Sequence, residues 1–123
     1  MIRVGTDIIE VNRIQQSIEK YSTKFLQKVY TEKEIAYCEK YKLSYERFAG
    51  KFAAKESAQK ALMAALPDTS FPLKKIEILN DSYGRPVIHL RDDLTKFNDR
   101  FDLQLSVSHI KEIATATTIL VEK

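Results

Sequence analysis

The sequence has few of the residues that build disulfides, thiolate metal sites or extended polymers. Its 123 residues include one cysteine, two histidines, three glycines, three prolines and no tryptophan. Cys38 has no partner for an intrachain disulfide, and this Cys/His content cannot form a zinc cluster. With 44% hydrophobic and 30% charged residues, a collagen-like or disordered chain is excluded. We therefore expect a globular protein in a reducing, cytoplasmic environment, and any metal should have oxygen ligands.

Long apolar segments are also absent. No uncharged apolar run approaches the ~20 residues that span a bilayer, and the N-terminus lacks the pattern of a secretory signal. A chain of this length buries roughly two-thirds of its unfolded surface as one unit. No linker, repeat or low-complexity segment divides it. We predict a single domain over residues 1–123 and no membrane partner.

Positive charge is concentrated in the first half of the chain. Residues 1–61 contain 12 Lys and Arg and 8 Asp and Glu, a net charge of +4, whereas residues 62–123 have a net charge of −1. A basic surface attracts anionic partners, although scattered lysines more often line a solvated helix face. One hypothesis is therefore a small nucleic-acid-binding module. Against it, the aromatic residues have the helical spacing of a core, and no RNA-binding signature is present.

The pattern of apolar residues predicts strands at both ends of the chain and helices between them. Asn12 is the predicted N-cap of a first helix, and Thr31 with Glu34 forms a capping box for another. Ser44 is the predicted cap of the longest helix, which stops before Pro67. The predicted strands are residues 2–9, 76–79, 87–90, 103–108 and 114–121. Together they indicate an α+β domain with an antiparallel sheet, its first strand beside later ones, and a long central helix.

Two carboxylates are candidates for chemistry. Asp7 interrupts an apolar strand, where an unpaired carboxylate costs several kcal/mol to bury unless a cation, a metal or water accompanies it; a cap at a strand end explains it equally well. Glu56 lies on the predicted long helix one turn before Lys60, a pair that stabilises an exposed helix by about 0.2–0.5 kcal/mol. Together the carboxylates suit Mg²⁺ completed by phosphate oxygens and water. Lys60, with Lys51 or Lys55, would neutralise the phosphate charge.

Two further segments have the residue types of an anion site. Gly84, Arg85 and Pro86 form a predicted turn from which Arg85 could reach a phosphate, although the segment by itself favours an ordinary turn. His109 follows Ser108, but successive strand residues point to opposite faces and no Gly-x-Ser-x-Gly motif is present. A Ser/His nucleophile is therefore not expected, and His109 is interpreted as a donor to a ligand anion or as a half-buried polar residue.

Four segments in order resemble the bacterial holo-acyl-carrier-protein synthases, the small 4′-phosphopantetheinyl transferases, over nearly the whole chain. These segments are residues 5–8 (GTDI), 48–57 (FAGKFAAKES), 84–86 (GRP) and 105–109 (LSVSH). The resemblance implies a 4′-phosphopantetheinyl transferase-like α+β fold. It also implies Mg²⁺-dependent transfer of 4′-phosphopantetheine from coenzyme A to a serine of apo acyl carrier protein, which releases adenosine 3′,5′-bisphosphate and serves fatty acid synthesis.

The resemblance also implies roles for individual residues. Asp7 and Glu56 match the metal-binding carboxylates, and Lys60 matches a catalytic lysine that contacts phosphate. Glu56, through a metal-bound water, is the candidate general base. Lys51 stands where the family often has arginine, so its grip on a phosphate is expected to be weaker. The positions expected to bind coenzyme A are Lys51, Lys60, Gly84, Arg85, Pro86 and His109.

The resemblance further implies a quaternary structure and a partner surface. Proteins of this type and size form homotrimers with active sites at subunit boundaries. Arg13, Lys24 and Lys28 match the basic surface that the family offers to acidic acyl carrier protein. A metal-dependent phosphohydrolase, with water in place of the carrier serine, remains a third hypothesis because it would use the same two carboxylates.

Overall fold

The order of elements follows the predicted α+β arrangement. The structure, a computed structural model, describes residues 1–123. Strand β1 (Ile2–Glu10) precedes four helices, which are α1 (Val11–Tyr21), α2 (Thr23–Val29), α3 (Glu32–Glu39) and α4 (Ser44–Ala65). The second half contains strands β2 (Ile76–Asn80), β3 (Pro86–Leu90), β4 (Phe101–His109) and β5 (Ile113–Glu122), with short 3-10 helices at Leu73–Lys75 and Asp92–Asn98. The two hairpins predicted from the strand and turn patterns are therefore confirmed.

The main sheet has three antiparallel strands in the order β1-β5-β4, and β2 with β3 forms a separate hairpin. Asp7 is paired with Ala116, which is paired with Val107 on the other side. Directly paired residues of neighbouring strands share a face of the sheet, so these three side chains point the same way. This face is covered by α4, and β1 joins the last strand as predicted.

Helix α4 lies unusually close to β1 because both contribute small residues to their contact. Ala53, Ala58 and Ala61 are fully buried on the helix. A Cβ atom at Gly5 would lie 1.9 Å from the carbonyl oxygen of Ser57, well inside van der Waals contact. Only glycine therefore fits at this point of β1, and the absence of its side chain brings the strand directly against the helix.

The first residues of the helices can be compared with the capping residues predicted from the sequence. The Thr31 and Glu34 capping box of α3 is confirmed. The prediction that Asn12 caps α1 is wrong, because the helix already begins at Val11, whose N–H donates to the carbonyl of Glu112 at 2.9 Å. Ser44 is the first residue of α4 rather than its cap. A tertiary contact thus replaces a side-chain cap at α1.

The sheet face turned away from α4 is open. Its apolar residues Ile2, Val4, Ile8 and Ile119 are between 44% and 67% exposed. On the covered side, 22 buried apolar residues form one continuous cluster around α4. None of the helices combines the length and apolar character needed to cross a bilayer.

Candidate active site

Asp7 lies in the middle of the covered sheet face and is nearly buried. The strand continues for three residues beyond it to Glu10, so the interpretation of Asp7 as a strand-end cap is wrong. Its side chain is 8% exposed, and its Oδ1 atom lies 3.3 Å from Nζ of Lys60. Its Oδ2 atom is buried and accepts no hydrogen bond. A buried carboxylate oxygen without a partner is costly, so this atom indicates a missing positive ligand.

Glu56 of α4 is a neighbour of Asp7. The pKa of Glu56 is raised to about 7, first by burial and then by the adjacent carboxylate of Asp7, while Lys60 acts in the opposite direction. Two carboxylates that share a site resist being charged together. The structure therefore brings together the two acids that the sequence singled out, from β1 and from the central helix.

Lys60 is directed to β1 rather than along its own helix. Its Nζ atom donates to the carbonyl oxygen of Thr6 at 2.9 Å and to Asp7 at 3.3 Å. The alternative interpretation of Glu56 and Lys60 as a simple exposed helix pair is therefore wrong. The close approach at Gly5 explains this arrangement, since it places the backbone of β1 within reach of the lysine. We define Asp7, Glu56 and Lys60 as the carboxylate cluster.

The carboxylate cluster fits a divalent cation that is completed by a substrate. The chain contains no group of three or more His, Cys, Asp or Glu side chains that could hold a metal by themselves. Mg²⁺ is commonly bound through one or two carboxylates plus phosphate oxygens and water. The unpartnered Oδ2 of Asp7 beside Glu56 supplies donor oxygens of the required hard type.

A pocket of about 170 Å³ lies between α4, the β2–β3 hairpin and the end of β4. Four residues predicted to bind coenzyme A line it, namely Lys51, Gly84, Pro86 and His109. Arg85 does not line this pocket, because its guanidinium turns back to Asp81 with a 2.8 Å hydrogen bond. Lys60 belongs to the carboxylate cluster instead.

Three pocket residues were not identified from the sequence. Tyr37, Arg47 and Asn80 complete the polar lining. The guanidinium of Arg47 lies 4.0 Å from the ring centre of Tyr41 and forms no ion pair. The spacing of Arg47, Lys51 and Ala54 along α4 is the signal that could have revealed this pocket wall, because residues four and then three apart share a helix face.

Lys55 is not available to a phosphate. The alternative in which Lys55 helps Lys60 to neutralise the phosphate charge is therefore wrong. Lys55 is completely buried, and its Nζ lies 2.5 Å from Oε1 of Glu34. Glu34 also accepts hydrogen bonds from the backbone N–H groups of Thr31 and Ile78, both at 2.8 Å. Burial lowers the pKa of Lys55 while Glu34 raises it. We define Glu34 and Lys55 as the buried pair, which joins α3, α4 and β2.

The carboxylate cluster and the pocket lie on opposite flanks of α4. Glu56 follows Arg47 by nine residues, about two and a half helical turns, so the two side chains project in opposite directions. On one flank β1 supplies Asp7. On the other flank the β2–β3 hairpin supplies Gly84 and Pro86. Within one chain, the helix therefore separates the carboxylate cluster from the pocket.

Comparison with known proteins gives one consistent result. The family model of ACPS, the 4′-phosphopantetheinyl transferase superfamily, matches residues 3–118. A holo-[acyl-carrier-protein] synthase of Clostridium novyi is 44% identical and aligns with 98% of this chain and 87% of its own length. The corresponding protein of Halothermothrix orenii is 40% identical, with 97% of each chain covered. These relatives offer no support for the nucleic-acid-binding alternative.

Two solved structures share the fold. A holo-(acyl-carrier-protein) synthase from Bacillus anthracis in complex with CoA (3′,5′-ADP) is 31% identical, with a TM-score of 0.79 over 98% of this chain and 96% of that one. A Helicobacter pylori holo-[acyl-carrier-protein] synthase in complex with coenzyme A is 27% identical, with a TM-score of 0.79 over 96% and 99% of the chains. With these matches, the chain belongs to the 4′-phosphopantetheinyl transferase superfamily, among the holo-[acyl-carrier-protein] synthases.

Proposed function

We propose that the family reaction, transfer of 4′-phosphopantetheine from coenzyme A to a serine of apo acyl carrier protein, takes place beside the carboxylate cluster. The observation that carries this assignment is the buried, unpartnered Oδ2 of Asp7 next to Glu56 and Lys60. The nucleotide part of coenzyme A occupies the pocket lined by Lys51, Gly84, Pro86 and His109. A direct role for Arg85 stays a prediction, since it would first have to leave Asp81.

Asp7 and Glu56 are the residues that would hold Mg²⁺. When bound, the ion would neutralise the oxygens of the pyrophosphate and so lessen their repulsion of a nucleophile. Lys60 contributes a second positive charge on the same side, and its side chain is more than half exposed, so the ammonium can turn from Asp7 to a phosphate oxygen. Arg47, which forms no ion pair, is a further cation in the pocket and suits a phosphate through its planar donor groups.

The reaction needs no nucleophile from the enzyme. The serine oxygen of the carrier forms a bond to the phosphorus that bears pantetheine, and the bond from that phosphorus to the bridging oxygen breaks. The electron pair leaves with adenosine 3′,5′-bisphosphate, and the serine proton passes to a base. We assign this role to Glu56, which is only partly buried at the cluster and can be reached by an incoming hydroxyl.

The working enzyme is proposed to be a homotrimer with composite sites. Because α4 separates the carboxylate cluster from the pocket, a single coenzyme A can contact both kinds of surface only if a neighbouring chain supplies one of them. The open sheet face offers an interface, since Ile2, Val4, Ile8 and Ile119 are exposed and an apolar patch of this kind marks association sites. Light scattering tests the trimer, and monomers at assay concentration would contradict it.

The acyl carrier protein is proposed to bind the surface formed by α1 and α2. Arg13, Lys24 and Lys28 are all exposed there. Arg13 has one acidic neighbour, Glu10, at 3.7 Å, and such an exposed pair is worth at most about 1 kcal/mol. The three cations are therefore free to face an acidic partner, and their interaction with it should weaken as salt increases.

Two predictions about the whole chain are retained. We propose that residues 1–123 act as one domain, which the single continuous core cluster supports. A cytoplasmic location remains a prediction, supported by the lone, buried Cys38, whose pKa is raised to about 12 mainly by burial. Limited proteolysis tests the first prediction and fractionation of cells tests the second.

The central experiment incubates the protein with apo acyl carrier protein, coenzyme A and Mg²⁺ and measures the mass of the carrier. We expect the carrier to gain one phosphopantetheine group. An unchanged mass with folded enzyme would contradict the transferase function. A parallel reaction without carrier distinguishes the phosphohydrolase hypothesis, which predicts release of phosphopantetheine to water.

A complementation experiment tests the composite site. A variant altered in the carboxylate cluster, Asp7→Asn, is mixed with a pocket variant, Arg47→Ala, under conditions that allow subunits to exchange. If neighbouring chains share each site, mixed trimers contain some intact sites and recover activity. Activity no greater than the sum of the two separate variants would contradict the shared site.

A further inference from the structure

The loop between β2 and β3, residues 81–85, is an internally hydrogen-bonded turn whose Gly84 lines the pocket. Asp81 Oδ1 accepts hydrogen bonds from the N–H groups of Tyr83 and Arg85, both at 2.9 Å. Gly84 adopts a φ of +80°, which favours glycine, and its N–H donates to the carbonyl of Asp81 at 2.9 Å. The loop therefore holds its own shape. These contacts lie within the loop, so they do not fix its position relative to α4.

A two-step connection supplies that position. Nζ of Lys51 donates to the carbonyl oxygen of Ile78 at 2.7 Å and to Oδ1 of Asn80 at 2.6 Å. The other end of the same amide, Nδ2 of Asn80, donates to the carbonyl oxygen of Gly84 at 3.1 Å. Among side-chain hydrogen bonds, those of Lys51 are the ones that join α4 directly to β2. Asn80 extends this connection to the loop.

The amide of Asn80 is suited to this position and its neighbours fix its orientation. A flipped amide would place NH₂ against the ammonium of Lys51 and oxygen against the carbonyl of Gly84, so both contacts would become repulsive. An aspartate would keep the acceptor for Lys51 but would face Gly84 with a second oxygen. A serine or alanine would be too short to reach both groups. Asparagine is thus the side chain that accepts and donates across this distance.

Most of the hydrogen-bonding capacity of Lys51 is already used within the protein, so its partner Asn80 also matters for the shape of the pocket. Lys51 is only 6% exposed, and burial lowers its pKa. An ammonium has three N–H groups, and two of them are already donated to Ile78 and Asn80. Its ring contact with Tyr37, at 4.5 Å from the centroid, further restricts its movement. These contacts therefore fix Lys51 in the pocket wall, with at most one N–H left for a ligand.

We propose that Asn80 is a positioning residue for coenzyme A, which links Lys51 to the carbonyl of Gly84 and so holds residues 84–86 at the pocket before the substrate arrives. This inference rests on the proposed function, because it assigns the pocket to coenzyme A. It differs from a purely direct role of Lys51 in phosphate binding, since a direct role would not depend on Asn80.

The test compares Asn80→Ala, Lys51→Met and the double variant by initial rates. We expect Asn80→Ala to raise the KM for coenzyme A about tenfold, with kcat and the KM for acyl carrier protein within about twofold of the wild type. Lys51→Met should have a similar effect. Because the two residues act through one connection, the double variant should be little worse than the more impaired single variant. An unchanged KM in Asn80→Ala, or additive effects in the double variant, would overturn the proposal.

Asn80→Asp sharpens the test because it keeps the acceptor for Lys51 and removes the donor to Gly84. We expect its KM for coenzyme A to rise as in Asn80→Ala; a wild-type KM would overturn the role of the Gly84 contact. The matched control is Asn98→Ala, which removes an amide that bonds both backbone groups of Leu90 on the same hairpin, outside the pocket. It should lower the thermal midpoint without changing this KM.

A second measurement keeps the inference separate from the proposed function. Hydrogen exchange of the amides of Tyr83 and Arg85 reports the loop without any catalysis. We expect exchange to be faster in Asn80→Ala and Asn80→Asp than in the wild type, and unchanged in Asn98→Ala. If wild-type protein fails to modify the carrier, the proposed function fails, whereas equal exchange in all variants overturns the positioning role of Asn80.

Discussion

The two flanks of helix α4 use charged residues in opposite ways. On the flank of the hairpin, each charged atom of the buried pair has a hydrogen-bond partner, since Glu34 accepts from Lys55 and from the backbone of Thr31 and Ile78. On the flank of β1, a carboxylate oxygen of Asp7 is buried without a partner. The buried pair holds elements together, whereas the carboxylate cluster is left incomplete. In this protein, satisfied charges stabilise the fold and an unsatisfied one indicates where a ligand binds.

The sharpest way to break this comparison is Asp7→Asn. Removing the charge should lower kcat/KM by at least about 10³-fold, because metal-assisted charge stabilisation is worth several kcal/mol. The free energy of unfolding should stay the same or increase, because the variant no longer buries an unpartnered carboxylate. Steady-state kinetics and urea unfolding measure the two effects. As a control, the exposed Asp68→Asn just after α4 should change neither, and normal activity in Asp7→Asn would refute the metal site.

The opposite pattern is expected for the buried pair. Glu34→Gln leaves Lys55 buried without a carboxylate, which should reduce the free energy of unfolding by about 3–5 kcal/mol. Activity per folded molecule should change little at low temperature. Urea unfolding measures the loss, with the exposed Glu39→Gln on the same helix as its control. Combining Glu34→Gln with Lys55→Met should recover part of the stability, and a loss below 1 kcal/mol in Glu34→Gln would contradict the role of the pair.

The smallest effect, and the most specific one, is a dependence of stability on pH in metal-free protein. The pKa of Glu56 rises from its ordinary value of 4.5 to about 7 on folding, mainly through burial. A carboxyl group with a raised pKa favours the folded state while protonated. Its contribution is therefore complete below about pH 4.5 and is lost as the pH rises through about 7.

The measurement compares unfolding of wild type and Glu56→Gln between pH 4.5 and pH 8. We expect the wild type to lose stability relative to the variant as the pH rises, and added Mg²⁺ to reduce this difference because the ion favours the charged carboxylate. A difference that is constant with pH would show that folding does not raise the pKa of Glu56.

Local sequence patterns predicted the structure correctly where the residues of the pattern interact with one another. The capping box of Thr31 and Glu34 lies within four residues, so the sequence carries it completely. The cap assigned to Asn12 failed because a distant carbonyl, that of Glu112, supplies the acceptor for Val11. The family resemblance and the apolar patterns together were sufficient for the order of the strands and of three helices, whereas the short helix α2 was not predicted.

The candidate site was predictable in its residue types and less so in its partners. Asp7 was conspicuous because its charge interrupts an apolar strand, and the structure places it beside Glu56 as expected. The partner of Lys60 was missed, since helical spacing favours Glu56 whereas the close approach of β1 supplies Thr6 and Asp7. Lys55 precedes Glu56, and the side chains of consecutive helix residues differ by about 100° in direction. Because Glu56 is directed to β1, Lys55 points into the core, where it pairs with Glu34.

The glycine in the first strand has a consequence for how this sequence can vary. A methyl group at Gly5 would lie 1.9 Å from a helix carbonyl oxygen, and every amino acid that a single base change can substitute for glycine carries at least that group. Such a change would force the first strand and its aspartate away from the glutamate on the helix. The position of this glycine, which has no functional group, thus tolerates fewer amino-acid substitutions than several of the charged positions.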